Sequence, residues 1–409
     1  MGQKKKKLSL MSKIGIGFVL GIVLGFFIGP ISDAPFVADI LLPTLQLIGN
    51  IFIALLKMLI VPLVVSSIIV GASSIGDPKV LGRIGIKTVC LYLGTTVVAI
   101  IIGLILGNII QPGIGMAIEG AKAAAKESES IFSVILNIFP SNPLQALVNG
   151  AMLQVIVFAL FLGVAGALLG EKGEAFIAFN TSLAEVMYKV TGIVMKTAPV
   201  GVFALIAVTG AKYGPAVLAP FAKVIIAIYL GCILQIFVVY SGLITLVVRK
   251  SPMWFLKGVR EAMLSAFVTR TSAGVLPISM RNVQQNLGIS EEVSSFVLPL
   301  GATVNMDGTA IYEGVCALFV AQAFGIPLGF GAQVSILLTA TLASIGTAGV
   351  PGAGLIMLSM VLASAGLPIE GIGLVAGIDA VLDMARTCAN VTGDMCVAAV
   401  VAKTEGEKL

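Results

Sequence analysis

Six polar side chains near the end of the chain, Asp379, Asp383, Arg386, Thr387, Asn390 and Asp394, follow one another at intervals of four, three, one, three and four residues. On a helix these intervals line them along one polar stripe. The residues between them, among them Ala380, Val381, Leu382, Met384, Ala385, Cys388, Ala389 and Val391, are small or apolar. Arg386 offers a planar fork to a carboxylate. Asp383, one turn away, offers an anion to an ammonium, and Thr387 and Asn390 offer neutral donors to a second carboxylate. Such a set suits a molecule with one ammonium and two carboxylates, an acidic amino acid. The competing reading is an amphipathic surface helix.

A second polar group, Asn305-Met306-Asp307-Gly308-Thr309, interrupts apolar sequence on both sides. An unpaired carboxylate in a bilayer costs at least roughly 2.5–3.5 kcal/mol, so Asp307 needs a partner, a proton or a cation. Asp307, Asp383 and Asp394 set three negative charges against Arg386, with Arg270 as a second positive candidate. Bound cations or protons relieve such an excess. Amide, carboxylate and hydroxyl oxygens, with carbonyls near Gly301, Thr303, Ser344 and Ile345, are hard ligands that suit an alkali cation better than a soft metal.

Two further stretches share a pattern: Thr271-Ser272-Ala273-Gly274-Val275-Leu276-Pro277 and Gly346-Thr347-Ala348-Gly349-Val350-Pro351-Gly352. Gly and Pro there are expected to stop a helix and free backbone groups, which a bilayer tolerates only inside protein or along a cavity. Matching breaks in separate halves of the chain point to inverted repeats carrying re-entrant hairpins whose tips meet at a mid-membrane site. Two kinked ordinary helices are the alternative.

The elements that must position these groups follow from composition. Of 409 residues, 58% are apolar and 11% charged, against about 25% charged in soluble domains. Mean hydropathy is +1.09. The chain is therefore expected to be an all-α integral membrane protein and not a soluble enzyme. Apolar stretches lie at about 14–28, 40–71, 88–110, 131–169, 176–209, 219–248, 292–323, 333–366 and 372–402, the last three interrupted. The cationic start is read as an uncleaved first span, since no small-residue cleavage site follows. Lysines at 4–7 and Lys13 place the N-terminus in the cytoplasm. Asp33 and Asp39 mark an outside loop, Lys79, Arg83 and Lys87 an inside one, and 114–130 a flexible external loop. Arg249, Lys250, Lys257 and Arg260 return the chain inside, and the C-terminus is cytoplasmic, giving an even number of crossings, eight.

Several chemistries are excluded. There is no histidine, so Ser-His-Asp and Cys-His catalysis, His-ligated zinc and His proton relays are absent. The five cysteines include no C-x-x-C pair and read as packing residues. The net charge of +5 arises largely from residues 4–7 and says nothing of nucleic acid. A rhomboid-like protease needs His, and a presenilin-like one needs G-x-G-D, which neither NMDG nor GIDA supplies. A channel needs an open polar lining, whereas these polar residues gather at one depth. Arg386 argues against a carrier of neutral amino acids, and Asp383 against substrates without an amine. No enzyme activity and no cofactor are expected beyond co-transported Na+ and/or H+.

On NMDGT (305–309), SIGTAGVPGAG (344–354), TRTSAGVLP (269–277) and DMARTCANVTGD (383–394), the chain resembles the glutamate transporter family. These are dicarboxylate/amino acid:cation symporters that include archaeal aspartate transporters and animal excitatory amino acid transporters. The likeness is dense from about residue 195 to 404 and looser but continuous before. It implies a homotrimer in the plasma (inner) membrane, in contact with lipid, with eight transmembrane helices, two re-entrant helical hairpins and an elevator-type mechanism. Residues 1–75 (spans one and two) and 114–215 (external loop, spans four and five) would form a scaffold. Residues 76–113 (span three) and 216–409 (span six, hairpin one, span seven, hairpin two, span eight) would form a moving transport domain, the second hairpin gating the outside.

Carried over residue by residue, the resemblance implies that the α-carboxylate of L-aspartate or L-glutamate meets Asn390 and Ser272, beside Arg270. The side-chain carboxylate meets Arg386 and Thr309, and the amine meets Asp383. Thr387 and the backbone at Val350 and Gly354 complete the shell. One cation falls among Gly301, Asn305, Asn390 and Asp394. A second falls against carbonyls of Thr303, Ser344, Ile345 and Thr347, and a third among Tyr92, Thr95, Thr96, Asn305 and Asp307. Two positions depart from the archaeal pattern. The first hairpin reads Thr-Ser-Ala where those relatives carry a run of serines. Glu313 stands where they have Gln and where the animal transporters have the Glu that carries the proton. Glu313 reads either as that proton site or as a hydrogen-bonded packing residue.

Overall fold

The computed structural model describes residues 10–76, 83–116, 136, 139–344 and 353–409, and every regular element among them is a helix. In chain order these include α1 (Leu10–Ile28), α2 (Leu42–Gly76), α3 (Arg83–Ile110), α4 (Met152–Leu168), α5 (Glu174–Val194), α6 (Ala198–Tyr213) and α7 (Leu218–Leu234). There follow α8 (Pro252–Thr269), α9 (Ser272–Arg281), α10 (Glu291–Val304), α11 (Asp307–Ala323), α12 (Phe330–Ala343), α13 (Ala353–Ser364) and α14 (Asp379–Thr404). Wide helical turns carry α7 on to Val248.

Among the described residues, five helical runs are long and apolar enough to cross a membrane: Ser12–Ile31, Val37–Ser73, Arg83–Ile110, Gly170–Tyr213 and Leu218–Val248. Runs of this length and apolarity fit helices that cross a bilayer. The apolar stretch at 131–169 is not one span. Asn142 caps a short helix starting at Pro143, Gly150 ends it at φ 64°, and α4 begins afresh at Met152. Two prolines and a left-handed glycine outweigh the apolar composition there.

Several of the later elements are short. At about 1.5 Å per residue, α12 and α13 span about 21 and 18 Å, well below the roughly 30 Å of a hydrocarbon core. They pack against each other, as do α8 and α9. The first hairpin turns one step earlier than the Gly-Pro pattern suggests. Arg270 adopts φ 56°, and the Thr271 hydroxyl accepts from the Gly274 amide at 3.1 Å, starting α9 at Ser272. Gly274 and Pro277 lie inside α9, because a threonine N-cap with a left-handed residue before it already supplies the break. Its sequence counterpart at 346–352 lies outside the described residues.

Packing sorts the helices. α2 lies against α4, α5 and α6, and α6 against α1. Gly17, Gly21 and Gly25 give α1 a face without side chains: a Cβ at Gly21 would stand 2.7 Å from the Phe203 carbonyl oxygen and one at Gly25 2.6 Å from that of Ala207. Small residues at such spacing let two backbones approach. In the other group α14 is central, against α3, α7, α8, α10 and α11. Its residues from Ala389 to Ala402 are all buried, so it is enclosed on every side despite its charges. α13 touches both groups, against α2, α4 and α11.

Candidate functional site

The candidate site forms where α10 stops and α11 starts, against the middle of α14. Asn305 leaves the helix at φ −92°, ψ 92°, and α11 restarts at Asp307. Gly308 allows the restart to press on α14, since a Cβ there would collide with the Arg386 carbonyl oxygen. The Gly308 amide donates to Asn390 Oδ1 at 2.7 Å, which fixes the orientation of that side-chain amide. Asn390 Nδ2 then faces Met306 Sδ at 3.3 Å and Thr309 Oγ1 at 3.4 Å. Asn305 Nδ2 donates to the Asn390 carbonyl at 3.1 Å and to Asp394 Oδ1 at 2.9 Å, while Asn305 Oδ1 is buried without a hydrogen-bond partner. A Cβ on Gly301 would meet both Tyr92 Oη and Asp394 Oδ1, so Gly301, Tyr92, Asn305, Asn390 and Asp394 share one small volume.

Asp307, with no exposed surface, accepts from Thr96 Oγ1 at 2.7 Å, Gln235 Nε2 at 2.9 Å and Tyr240 Oη at 2.7 Å. Gln235 Nε2 also lies 3.3 Å from the Thr95 carbonyl. The Thr95 hydroxyl bonds the Tyr92 carbonyl at 3.1 Å, and Tyr92 Oη bonds that of Val297 at 2.9 Å. Sequence reasoning missed Gln235 and Tyr240. The signal on offer was Gln235, the one amide in the mostly apolar span at 219–248, with Tyr240 one of its two tyrosines.

Arg386 is 1% exposed. Nη2 bonds Asp383 Oδ1 at 2.9 Å, and Nη1 lies 3.0 Å from Asp379 Oδ1. The second contact is an ion pair without hydrogen-bond alignment: Nη1, Nε and both Asp379 oxygens lack hydrogen-bond partners. The guanidinium stacks 4.0 Å above the Tyr312 ring. Gly354 also approaches the guanidinium closely: a Cβ there would stand 2.6 Å from Nη1. Thr387 Oγ1 bonds Asp383 Oδ1 at 3.3 Å, and Asp383 Oδ2 is buried without a partner. The charge count is corrected here. Asp379, on the stripe but outside the three counted acids, is a fourth buried carboxylate and pairs with the arginine.

Glu313 is 1% exposed on α11, and its Oε1 has no partner. Ser272 is buried at the start of α9, which packs on α14. Arg270 is half-buried at the hairpin turn, close enough to act electrostatically on Asp379. Of the second cation group, Thr303 turns its side chain outward to the Leu300 carbonyl, and Ser344 is buried against that of Thr341. Ile345, Thr347 and Val350 lie outside the described residues.

Far from this site, Glu405 ends α14 and binds Lys87 Nζ at 2.7 Å and Arg83, both on the first turns of α3. These two cations hold its carboxyl below the usual range, Lys87 first.

A donor set of carboxylates, amides, hydroxyls and carbonyls around Asn305 and Asp307 fits hard cations. The orphaned Asn305 Oδ1 is one oxygen ready for such an ion. Beside it, an arginine fork and a carboxylate with a free oxygen fit an anionic and a cationic group on one small molecule.

The model of the sodium:dicarboxylate symporter family matches residues 10–404. The chain is 38% identical to the proton/sodium-glutamate symport protein of Geobacillus stearothermophilus, over 98% of this chain and 96% of that one. It is 36% identical to the proton/glutamate-aspartate symporter of Escherichia coli (strain K12), over 98% and 94%. It is 34% identical to the C4-dicarboxylate transport protein of Rhizobium leguminosarum, over 99% and 91%.

Proposed function

Since the chain belongs to the sodium:dicarboxylate symporter family, a family of transporters and not of enzymes, we propose that it carries L-aspartate or L-glutamate across the membrane with Na+ and/or H+. The observation that carries this reading is the buried Arg386, set between Asp379 and Asp383, with Asp383 Oδ2 left unpartnered. The substrate's side-chain carboxylate takes the place of one aspartate at the fork, helped by Thr309. Its amine takes Asp383 Oδ2, and its α-carboxylate takes Asn390 and Ser272. Thr387 and the backbone of Gly354 and Val350 close the shell. Cations neutralise the remaining acid. One sits among Gly301, Asn305, Asn390 and Asp394, one among Tyr92, Thr95, Thr96, Asn305 and Asp307, and one against Thr303, Ser344, Ile345 and Thr347. Glu313 is the proton site: its carboxyl is enclosed, has an unpartnered oxygen and lies in the field of Arg386.

The architecture in this reading is eight crossings and two re-entrant hairpins, α8–α9 and α12–α13, whose short helices favour it. Residues 1–75 and 114–215 act as scaffold, and residues 76–113 and 216–409 move as an elevator, in line with the two packing groups. Both termini face the cytoplasm of a plasma membrane. That Glu405 is tied to Arg83 and Lys87 supports placing the C-terminus with the basic inside loop. The homotrimer rests on the family resemblance alone.

Asp383→Asn tests the substrate assignment. Uptake of aspartate and glutamate into proteoliposomes should fall much more than uptake of succinate. Equal loss of both would place the amine elsewhere, and wild-type succinate transport exceeding that of both amino acids would make the protein a C4-dicarboxylate carrier.

A further inference from the structure

Outside this site, four cationic side chains, Arg249, Lys250, Lys257 and Arg260, fall within twelve residues where α7's continuation ends and α8 begins. The chain reverses at Arg249, φ 62°, and Ser251 caps α8 by accepting from the Trp254 amide at 3.1 Å. The reversal brings Lys250 Nζ to 5.5 Å from the centre of the Trp254 ring. Along α8 the outward face reads Met253, Lys257, Arg260, Leu264 and Val268, at intervals of four, three, four and four. Lys257 and Arg260 are exposed, and Leu264 and Val268 are 67% and 69% exposed. Past exposed Met253, this one stripe is cationic at Lys257 and Arg260 and bare apolar beyond them. The adjacent acid, Glu261, is already bound to Arg281 and Asn282.

A helix whose outer face changes from cations to naked leucine and valine lies across the boundary between headgroups and acyl chains. Tryptophan settles at that boundary, and here one carries a lysine on its face. We propose that Arg249, Lys250, Lys257 and Arg260 form a binding surface for the phosphate of an anionic phospholipid, whose acyl chain lies along Leu264 and Val268. Charge complementarity fixes the headgroup, and the apolar half of the same stripe selects a lipid over free phosphate. The lipid thus sits on the outer face of the first hairpin. The inference requires only that the chain lies in a membrane and is independent of what it transports.

Trp254 is the only tryptophan in the sequence, so its fluorescence reports this surface alone. The full-length protein is reconstituted in neutral lipid containing a fixed fraction of either brominated phosphatidylcholine or brominated phosphatidylglycerol, with the bromines high on the acyl chains. Each basic residue near an anionic surface raises local lipid occupancy by about five-fold, so the brominated anionic lipid should quench several-fold more effectively. Rising salt should erode the preference. Lys257→Gln with Arg260→Gln should remove most of it while substrate binding persists. Inorganic phosphate at constant ionic strength should not displace the lipid. Equal quenching by the two lipids overturns the proposal, as does a preference that survives the double substitution. If the double variant fails to fold, the salt titration of the wild type decides, and a salt-independent preference overturns it. Displacement by inorganic phosphate overturns the choice of lipid.

Discussion

Gly354 contributes no side-chain atom to the site, yet it bears directly on the arginine. A methyl group there would stand 2.6 Å from Arg386 Nη1, 2.9 Å from Cζ and 3.0 Å from Nη2. Comfortable carbon contacts begin near about 3.5 Å, so the guanidinium would have to retreat by most of an ångström. It cannot do so freely, because Asp383 holds one nitrogen at 2.9 Å, Asp379 lies 3.0 Å from another, and the Tyr312 ring supports its face at 4.0 Å. Overpacking of this kind costs about 1–3 kcal/mol. Charged to substrate binding, that is a loss of about 5- to 150-fold in affinity. Gly354→Ala is therefore expected to weaken aspartate or glutamate binding by up to that factor in titration calorimetry and to lower the melting temperature by whatever part of the strain falls on the unliganded fold. Gly242→Ala is the control, since a Cβ there meets nothing within 4 Å. Affinity of Gly354→Ala within about two-fold of the wild type, together with an unchanged melting temperature, would refute the contact between α13 and the arginine fork.

Arg386→Ala leaves Asp379 and Asp383 buried and unpaired, a loss of about 3–5 kcal/mol. Binding of acidic substrates should vanish, while serine and alanine lose less, and equal losses in a binding titration contradict the role given to the fork. Glu313→Gln should flatten the pH dependence of uptake in proteoliposomes, whereas an unchanged profile returns Glu313 to a packing role. Tyr240→Phe removes one of three hydrogen bonds to Asp307, each worth about 1.5–3 kcal/mol to a charged group. The sodium midpoint for substrate binding should shift by about ten-fold or more, and no shift separates Asp307 from cation binding. Glu405 has a folded-state carboxyl held down by Lys87 and Arg83, so it stabilises the fold above the unfolded carboxyl value near about 4.3. That contribution is lost as pH falls through the lower folded value. Glu405→Gln should thus lower the melting temperature at pH 7 and lower it progressively less as the pH falls below the unfolded carboxyl value, and a drop that stays constant across that range contradicts the ion-pair account.

Much of the site was legible because charge inside an apolar sequence has few explanations. The stripe from Asp383 to Asp394 and the Asn305–Asp307 interruption do meet, joined by hydrogen bonds from Asn305 to Asp394 and from Gly308 to Asn390. The first hairpin was legible as a break but misplaced within it, since a left-handed arginine and a threonine cap are weaker signals than Gly and Pro. Gln235 and Tyr240 escaped notice because their partner, Asp307, is 72 and 67 residues away, and no local pattern reveals a pairing set by tertiary contact. Asp379 was visible on the stripe, but only the packing of Arg386 shows that the arginine has two acids beside it. The stretch at 131–169 misled because apolar content says nothing of where Pro143 and Gly150 turn the chain.

In the proposed function, cation gradients drive acidic amino acids through this site. The most direct measurement is uptake of labelled aspartate and glutamate by the purified protein in liposomes, under an inward sodium gradient alone, an inward proton gradient alone, and neither. Accumulation above equilibrium under at least one gradient, abolished when that gradient is collapsed, is the predicted result. Uptake that merely equilibrates under all three conditions, or accumulation of neither amino acid, would contradict the claim.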